Sequence, residues 1–395
     1  MDTQTLFNTS ETAQFHHILS GSFRSLSLFL LAFSPLHHTL DLVQRVDAFG
    51  PHQYLAVNQR RDRVYTTSWA LPPSLSSWTV KRLDESPWSV EHLNTVPVTA
   101  TSSYISLPPP YKHLYSAGGP TGEVHLVDES TGGFAERVQQ FLFVPEDELD
   151  AADKTRVALR YGSHAVELSP HARAFVPVLG TNTINMYAVD RDSGQLTLLS
   201  ENQSPRSGDG PRHVVVSLDG SVLYSVTEHT NFLDVYAITD TSLTHIQSQS
   251  LLSPSIRSDP HAYRGDTLRL IPSTSSRPSP THIFATTRGA KPGTHGWLCV
   301  LELDERTGLL KEVQRGTEGE GADEHVVQRW ETPSSGGKAN AIELLAKADS
   351  DEGVWIVLTD DDQTEANAGV RILEWDRPRA LTSSRSGRGR MRMLR

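Results

Sequence analysis

The sequence predicts an all-β protein, a seven-bladed β-propeller, and three observations carry that prediction. First, short segments rich in Val, Tyr, Thr, Leu and Phe alternate with Gly, Pro, Asp and Ser turns along most of the chain, the pattern of strands joined by tight connections. Second, the segments recur: His164-Ala165-Val166-Glu167-Leu168-Ser169-Pro170 overlays His213-Val214-Val215-Val216-Ser217-Leu218-Asp219 at an offset of about 49 residues, and a repeat of that size with three or four strands per unit is a blade signature. Third, helical periodicity is nearly missing. Only 145–160 reads as a helical or irregular excursion, opening on Pro145-Glu146-Asp147-Glu148, an acidic start behind a proline.

The units follow in order. Residues 22–46 offer two strands, Leu26–Phe33 and Thr39–Val46. The first of these is the most apolar run of the chain. It is too short to span a bilayer and lacks the basic flank and small-residue cleavage site of a secretion signal, so it is read as a buried strand. Six units then start near His52, Tyr104, His164, His213, Asp266 and Asn340. Beyond them, Pro378 to Arg395 is Arg/Ser-rich without a strand pattern and reads as a disordered basic tail. Propeller rings are commonly closed by a strand from the opposite terminus, and no such strand is visible here, so the last blade is expected to be incomplete. The domain reading is one propeller over 22–376, a flexible segment over 1–21 and a disordered tail over 377–395.

Among 395 residues, 47 are acidic and 36 are Lys or Arg, a net charge of −11. That balance disfavours nucleic acid or an acidic membrane as partner, but not a small anion held in a local cationic pocket. Cys299 is the one cysteine, which excludes an internal disulfide and a Cys-based zinc site and fits a reducing, cytoplasmic location. No H-x-H or H-E-x-x-H spacing is present, and Asp360-Asp361-Asp362 reads as a solvated turn, so no metal is expected.

In a propeller the loop entering each inner strand and the end of each second strand face one mouth of the central channel. The entry points are His52, His164, Arg212-His213 and Asn340. The second-strand ends are Thr67-Ser68-Trp69, Gly118-Gly119, Thr227-Glu228-His229, Thr287-Arg288-Gly289 and Thr359-Asp360-Asp361. Taken singly, each has a plain structural explanation: an entry histidine caps a turn, Glu228 and Arg288 are rim charges. Taken together, two arginines, one or two histidines and a glutamate arrive at one mouth from three adjacent blades. Two guanidiniums suit a di- or tricarboxylate, each gripping a carboxylate in two-pronged fashion, and a histidine beside a glutamate can move a proton near neutral pH. No G-x-S-x-G element is present and Cys299 lies in an interior strand pattern, so an activated nucleophile is not evident.

These elements resemble a known family. Gly162-Ser163-His164-Ala165-Val166-Glu167-Leu168-Ser169-Pro170, Gly210-Pro211-Arg212-His213, Thr227-Glu228-His229-Thr230-Asn231, Thr287-Arg288-Gly289-Ala290-Lys291, Ser334-Ser335-Gly336-Gly337-Lys338-Ala339-Asn340-Ala341 and Leu358-Thr359-Asp360-Asp361 look like the fungal carboxy-cis,cis-muconate cyclases. These belong to a wider lactonase propeller group that includes 6-phosphogluconolactonases. The resemblance covers about 22–376 and implies a cofactor-independent cycloisomerase of aromatic breakdown through the β-ketoadipate route. It implies His164, Glu228 and Arg212 as catalytic residues, with Arg288, His213, Lys338 and Asn340 as substrate contacts. Lys338 departs from the pattern, since related enzymes often carry His there. A homo-oligomer is also expected. The alternatives are a phosphogluconolactonase-like hydrolase, its arginines holding a phosphate, and a non-catalytic binding platform.

Overall fold

The computed structural model describes residues 15–83, 86–312, 325–347, 353–362, 369–376 and 391–393. Seven antiparallel sheets follow one another along the chain, as the repeats predict. The first has three strands, His16–Ser20, Ser27–Ser34 and Thr39–Asp47. Each of the other six has four. Their inner strands are Leu55–Val57, Tyr104–Ser106, Glu167–Ser169, Pro211–Val216, Tyr263–Leu270 and Asn340–Ala346. The 145–160 excursion holds two short 3-10 turns, Glu146–Glu148 and Arg156–Arg160.

Every sheet is flanked by two others, so its second strand has no solvent face. His113–Gly118 and Val222–Thr227 are buried at all six positions, which is why they read as continuous runs instead of alternating apolar and polar. The core is accordingly a ring of interblade layers. One layer joins Leu28, Val64 and Trp78 of the first two blades, another Phe284, Leu298, Ile356 and Trp375 of the last two.

Three expectations need correction. The propeller begins before residue 22, because His16–Ser20 pairs with Ser27–Ser34. The tail contributes a strand, since Met391–Met393 pairs with Gly369–Asp376 and gives the last blade four strands. The Arg/Ser composition of the tail concealed the two-residue alternation of Arg390-Met391-Arg392-Met393. The rest of the tail and residues 1–14 lie outside the described residues. Finally, among the described residues the ring closes without a shared sheet. Phe33 of the first blade meets Trp355 of the seventh edge-on at 5.2 Å, in a buried cluster with Val357 and Ile372. At the mouth, Arg24 Nε lies 2.9 Å from Asp361 Oδ1. Side-chain packing between terminal blades thus replaces the missing strand. Among the described residues no helix is long and apolar enough to cross a membrane.

Candidate active site

The fifth and sixth blades build the charged centre. Gly210, at φ +61, adopts the left-handed backbone that favours glycine, and its missing Cβ leaves room for the His229 ring. A register shift between Pro211 and His213 then turns Arg212 into the mouth. Its Nη1 donates to Glu228 Oε2 at 2.5 Å and its Nη2 lies 2.8 Å from Asp266 Oδ1. Glu228 sits just past the second strand of the fifth blade. Its backbone bridges the two blades, with its N–H on the Gly210 carbonyl and its carbonyl accepting from the Gly265 N–H. Arg288, near the end of the sixth blade's second strand, donates through Nη2 to Glu228 Oε1 at 3.3 Å and through Nη1 to the Gly337 carbonyl at 3.2 Å. Its cross-strand neighbour Arg264 places Nη1 3.8 Å from the same Glu228 oxygen.

Three guanidiniums therefore surround one glutamate, with Asp266 as a second anion. Burial works against ionisation of Glu228, but Arg212 and Arg288 outweigh it and hold the carboxyl well below its usual range. Burial also works against the Arg212 cation, and Glu228 and Asp266 overcome it. Arg288 goes the other way. Burial, reinforced by repulsion from Arg212 and Arg264, lowers its pKa despite Glu228. Its Nε is buried without a hydrogen-bond acceptor. A buried charged donor left unmet is costly, and a second anion beside Arg288 would satisfy it.

His164 borders this centre from the fourth blade. Its Nε2 lies 2.7 Å from the Leu159 carbonyl, so Nε2 carries the hydrogen. Its Nδ1 then accepts from Gln53 Nε2 at 3.3 Å, and Gln53 Oε1 accepts from Trp69 Nε1 at 2.9 Å. Both ring nitrogens are thus engaged by protein. Burial first, and Arg212 second, push its pKa down to about 3, so the ring is neutral near pH 7.

The structure brings His164, Arg212, Glu228 and Arg288 together. It places the other predicted contacts differently. His213 points down the channel: its Nδ1 accepts the Leu268 N–H at 3.0 Å, and Nε2 lies 3.2 Å from the Tyr104 hydroxyl. The bulge at Pro211 separates it from Arg212. Asn340 is fully buried. Its side chain donates to the Thr287 carbonyl at 3.0 Å and its backbone N–H to Asp266 Oδ2 at 2.6 Å. It therefore supports Arg288 and Asp266 from beneath. Lys338 is at the rim, 5.2 Å over the Trp69 ring. His52 is locked to the Thr67 carbonyl at 2.7 Å, away from the cluster.

Three contributors were missed. Arg264 belongs to an inner strand and becomes visible only through its pairing with Arg288. Asp266, two residues on, was noted only as the start of a repeat. Gln53 follows the entry histidine His52, and nothing in its type announces a partner 111 residues away. Among the described residues no group of three or more His, Cys, Asp or Glu is placed to hold a metal ion.

A seven-bladed propeller with arginines clustered on a carboxylate at one mouth is the arrangement of an enzyme of the lactonase and cycloisomerase type. The chain belongs to the lactonase family of seven-bladed β-propellers: the family profile described as "Lactonase, 7-bladed beta-propeller" matches residues 18–321. It is 31% identical over 352 residues to Muconate cycloisomerase 1 of Cutaneotrichosporon cutaneum, covering 87% of each chain. Among solved structures it resembles a putative 6-phosphogluconolactonase from Bacteroides uniformis (TM-score 0.68, 16% identity, covering 96% of this chain and 95% of that one). It also resembles the periplasmic gluconolactonase of Pseudomonas aeruginosa (TM-score 0.68, 16% identity, covering 97% and 99%). At that identity the two structures speak for the fold alone.

Proposed function

We propose that the protein is a cycloisomerase that closes 3-carboxy-cis,cis-muconate, or a related muconate, into a muconolactone in aromatic breakdown, in the cytoplasm and without a cofactor. The observation that carries this reading is the under-neutralised Arg288: three arginines share Glu228, and the buried Arg288 Nε has no acceptor. That is a site prepared for added carboxylate. The kinship with a muconate cycloisomerase supports the same substrate class.

Lactonisation forms a C–O bond between one substrate carboxylate and a carbon of a double bond conjugated to another carboxylate. The π pair moves onto that second carboxylate as an enediolate, and the adjacent carbon then takes a proton. Arg212 and Arg288 hold the carboxylates and stabilise the enediolate. The proton comes from Glu228, with one proton drawn from solvent per turnover. In the free protein Glu228 is ionised because the arginines hold it. An entering polyanion competes for those arginines and repels the carboxylate, so Glu228 rises in pKa and takes up the proton it delivers. His164, neutral and tethered at both nitrogens, is the wall beside it.

The test incubates the protein with 3-carboxy-cis,cis-muconate and follows loss of its conjugated ultraviolet absorbance, with 6-phosphogluconolactone in parallel. Arg212→Ala should cost about 2.7–4 kcal/mol of transition-state stabilisation. Glu228→Gln should slow turnover by about 10²–10⁴. Near-normal turnover in both variants, or turnover of the phospholactone alone, would overturn the assignment.

A further inference from the structure

A second cationic group lies at the same mouth, built around Trp69. The Phe23 ring lies 4.6 Å from the Trp69 ring, tilted by 38°. The Lys338 ammonium and the Arg156 guanidinium lie 5.2 Å and 5.5 Å from its centroid, within cation–π range. The hydrogen bond from Trp69 Nε1 to Gln53 fixes the indole in place, so it acts as a shelf and not as a loose rim residue. Arg156 reaches the shelf because the 3-10 turn Arg156–Arg160, capped by the Thr155 side chain on the Val157 N–H, brings it there.

Two like charges on one ring repel unless an anion lies between them. The carboxylate nearby is that of Asp361, and Arg24 already holds its Oδ1 at 2.9 Å. Around Lys338 stand two further cations, Arg156 and Arg24, with the carboxylate of Asp361, and burial followed by repulsion from Arg156 lowers the Lys338 pKa. The shelf is joined to the arginine centre on two sides. Trp69 connects through Gln53 to His164, and Lys338 follows Gly337, whose carbonyl receives Arg288 Nη1. The turn that supplies Arg156 also supplies the Leu159 carbonyl to His164.

We propose that Lys338 and Arg156, held on Trp69, form a second anion subsite that binds an anionic group of the substrate other than the carboxylates held by Arg212 and Arg288. On the function proposed above, that group is the additional carboxylate of a tricarboxylate muconate, and the subsite sets the preference for it over the dicarboxylate. In a lactone hydrolase it would be a phosphate.

The experiment compares KM for 3-carboxy-cis,cis-muconate and for cis,cis-muconate in the wild type, Lys338→Gln, Arg156→Gln and Lys338→Arg. Both side chains are exposed, so folding is not at risk. Each Gln variant should raise KM for the tricarboxylate roughly fivefold, the worth of a partly exposed ion pair, against less than about twofold for the dicarboxylate. The change should leave kcat alone, and Lys338→Arg should keep the preference. Equal shifts on both substrates, or none, overturn the subsite. If the wild type consumes neither muconate, the proposed function falls on its own, and the same variants are compared on 6-phosphogluconolactone and unphosphorylated gluconolactone. A loss confined to the phosphorylated lactone upholds the subsite, and an equal loss or none overturns it. If no substrate is consumed, calorimetric titration with 3-carboxy-cis,cis-muconate decides: weaker binding to Lys338→Gln upholds it, while equal or absent binding overturns it.

Discussion

The sixth blade carries arginines both at the mouth and deeper in the channel, and the two regions treat them in opposite ways. Deeper down, a cavity of about 420 Å³ is bordered by Tyr54, Tyr104, Glu167, Arg269 and Glu343. There Arg269 donates to Glu343 Oε2 at 3.0 Å, to the Leu268 carbonyl at 2.9 Å and to the Tyr54 hydroxyl. Tyr54 donates to Tyr104 at 3.1 Å, and Tyr104 in turn donates to Glu167. His213, its Nδ1 occupied by the Leu268 N–H, presents Nε2–H to Tyr104. From Arg269 through Tyr54 and Tyr104 to Glu167 the donors and acceptors match, while Arg269 Nη1 lies 3.4 Å from the hydrogen-bearing His213 Nε2. Burial works against the Arg269 cation, yet Glu343 and its other partners raise its pKa well above the ordinary value, whereas Arg288 at the mouth is lowered. A satisfied network rigidifies a fold. At the mouth, by contrast, the Arg288 Nε is left without an acceptor.

Substituting the two arginines separates these roles most sharply. Arg288→Ala should lower kcat/KM by roughly 10²–10³ on the productive substrate, the loss of one transition-state donor, and should leave thermal stability unchanged or slightly improved, because it removes an under-compensated cation. Arg269→Met should do the reverse. The Glu343 side chain is 60% exposed, so the ion pair itself contributes little. Losing the Arg269 hydrogen bonds to Tyr54 and the Leu268 carbonyl should cost about 1–2 kcal/mol, read as a lower denaturation midpoint, with kcat close to wild type. If Arg288→Ala unfolded the protein and Arg269→Met mainly slowed it, the division between functional mouth and structural channel would be mistaken.

The contrast also explains what was legible in the sequence. His164, Arg212, Glu228 and Arg288 were found because propeller topology sends blade entries and second-strand ends to one mouth, so a repeat period alone predicts their convergence. His213 was assigned to the mouth by its adjacency to Arg212, and a one-residue bulge at Pro211 sends it down the channel. Such a shift leaves no mark in residue type. Asn340 sits at an entry point but is buried beneath Arg288 and Asp266. Arg264 and Gln53 escaped notice because their roles depend on cross-strand and cross-blade partners. The closing strand was sought as a shared sheet, while closure comes from Phe33 against Trp355, a contact between faces that strand patterns cannot display.

The subtlest difference between the regions concerns the two histidines, and it can be tested by protonation. His164 Nδ1 receives only the neutral amide of Gln53, and its folded pKa of about 3 lies below the ordinary value of 6.5. Between these values the unfolded chain binds a proton that the folded one does not, so stability rises with pH across that window and levels off above it. The change should be a loss of roughly 1–2 kcal/mol on going from pH 6.5 to 4, discounted for the partial exposure of the ring. Gln53→Glu keeps an acceptor for Trp69 but puts a carboxylate opposite Nδ1. An opposite charge at that distance raises a histidine pKa by about 1–3 units. The variant should therefore show His164 titrating higher by imidazole NMR and a flatter acid limb in pH-dependent melting. Its activity optimum should narrow on the acid side, because an imidazolium beside Arg212 adds charge that the centre does not otherwise carry. An unchanged His164 titration in that variant would mean that Gln53 does not set the state of the ring.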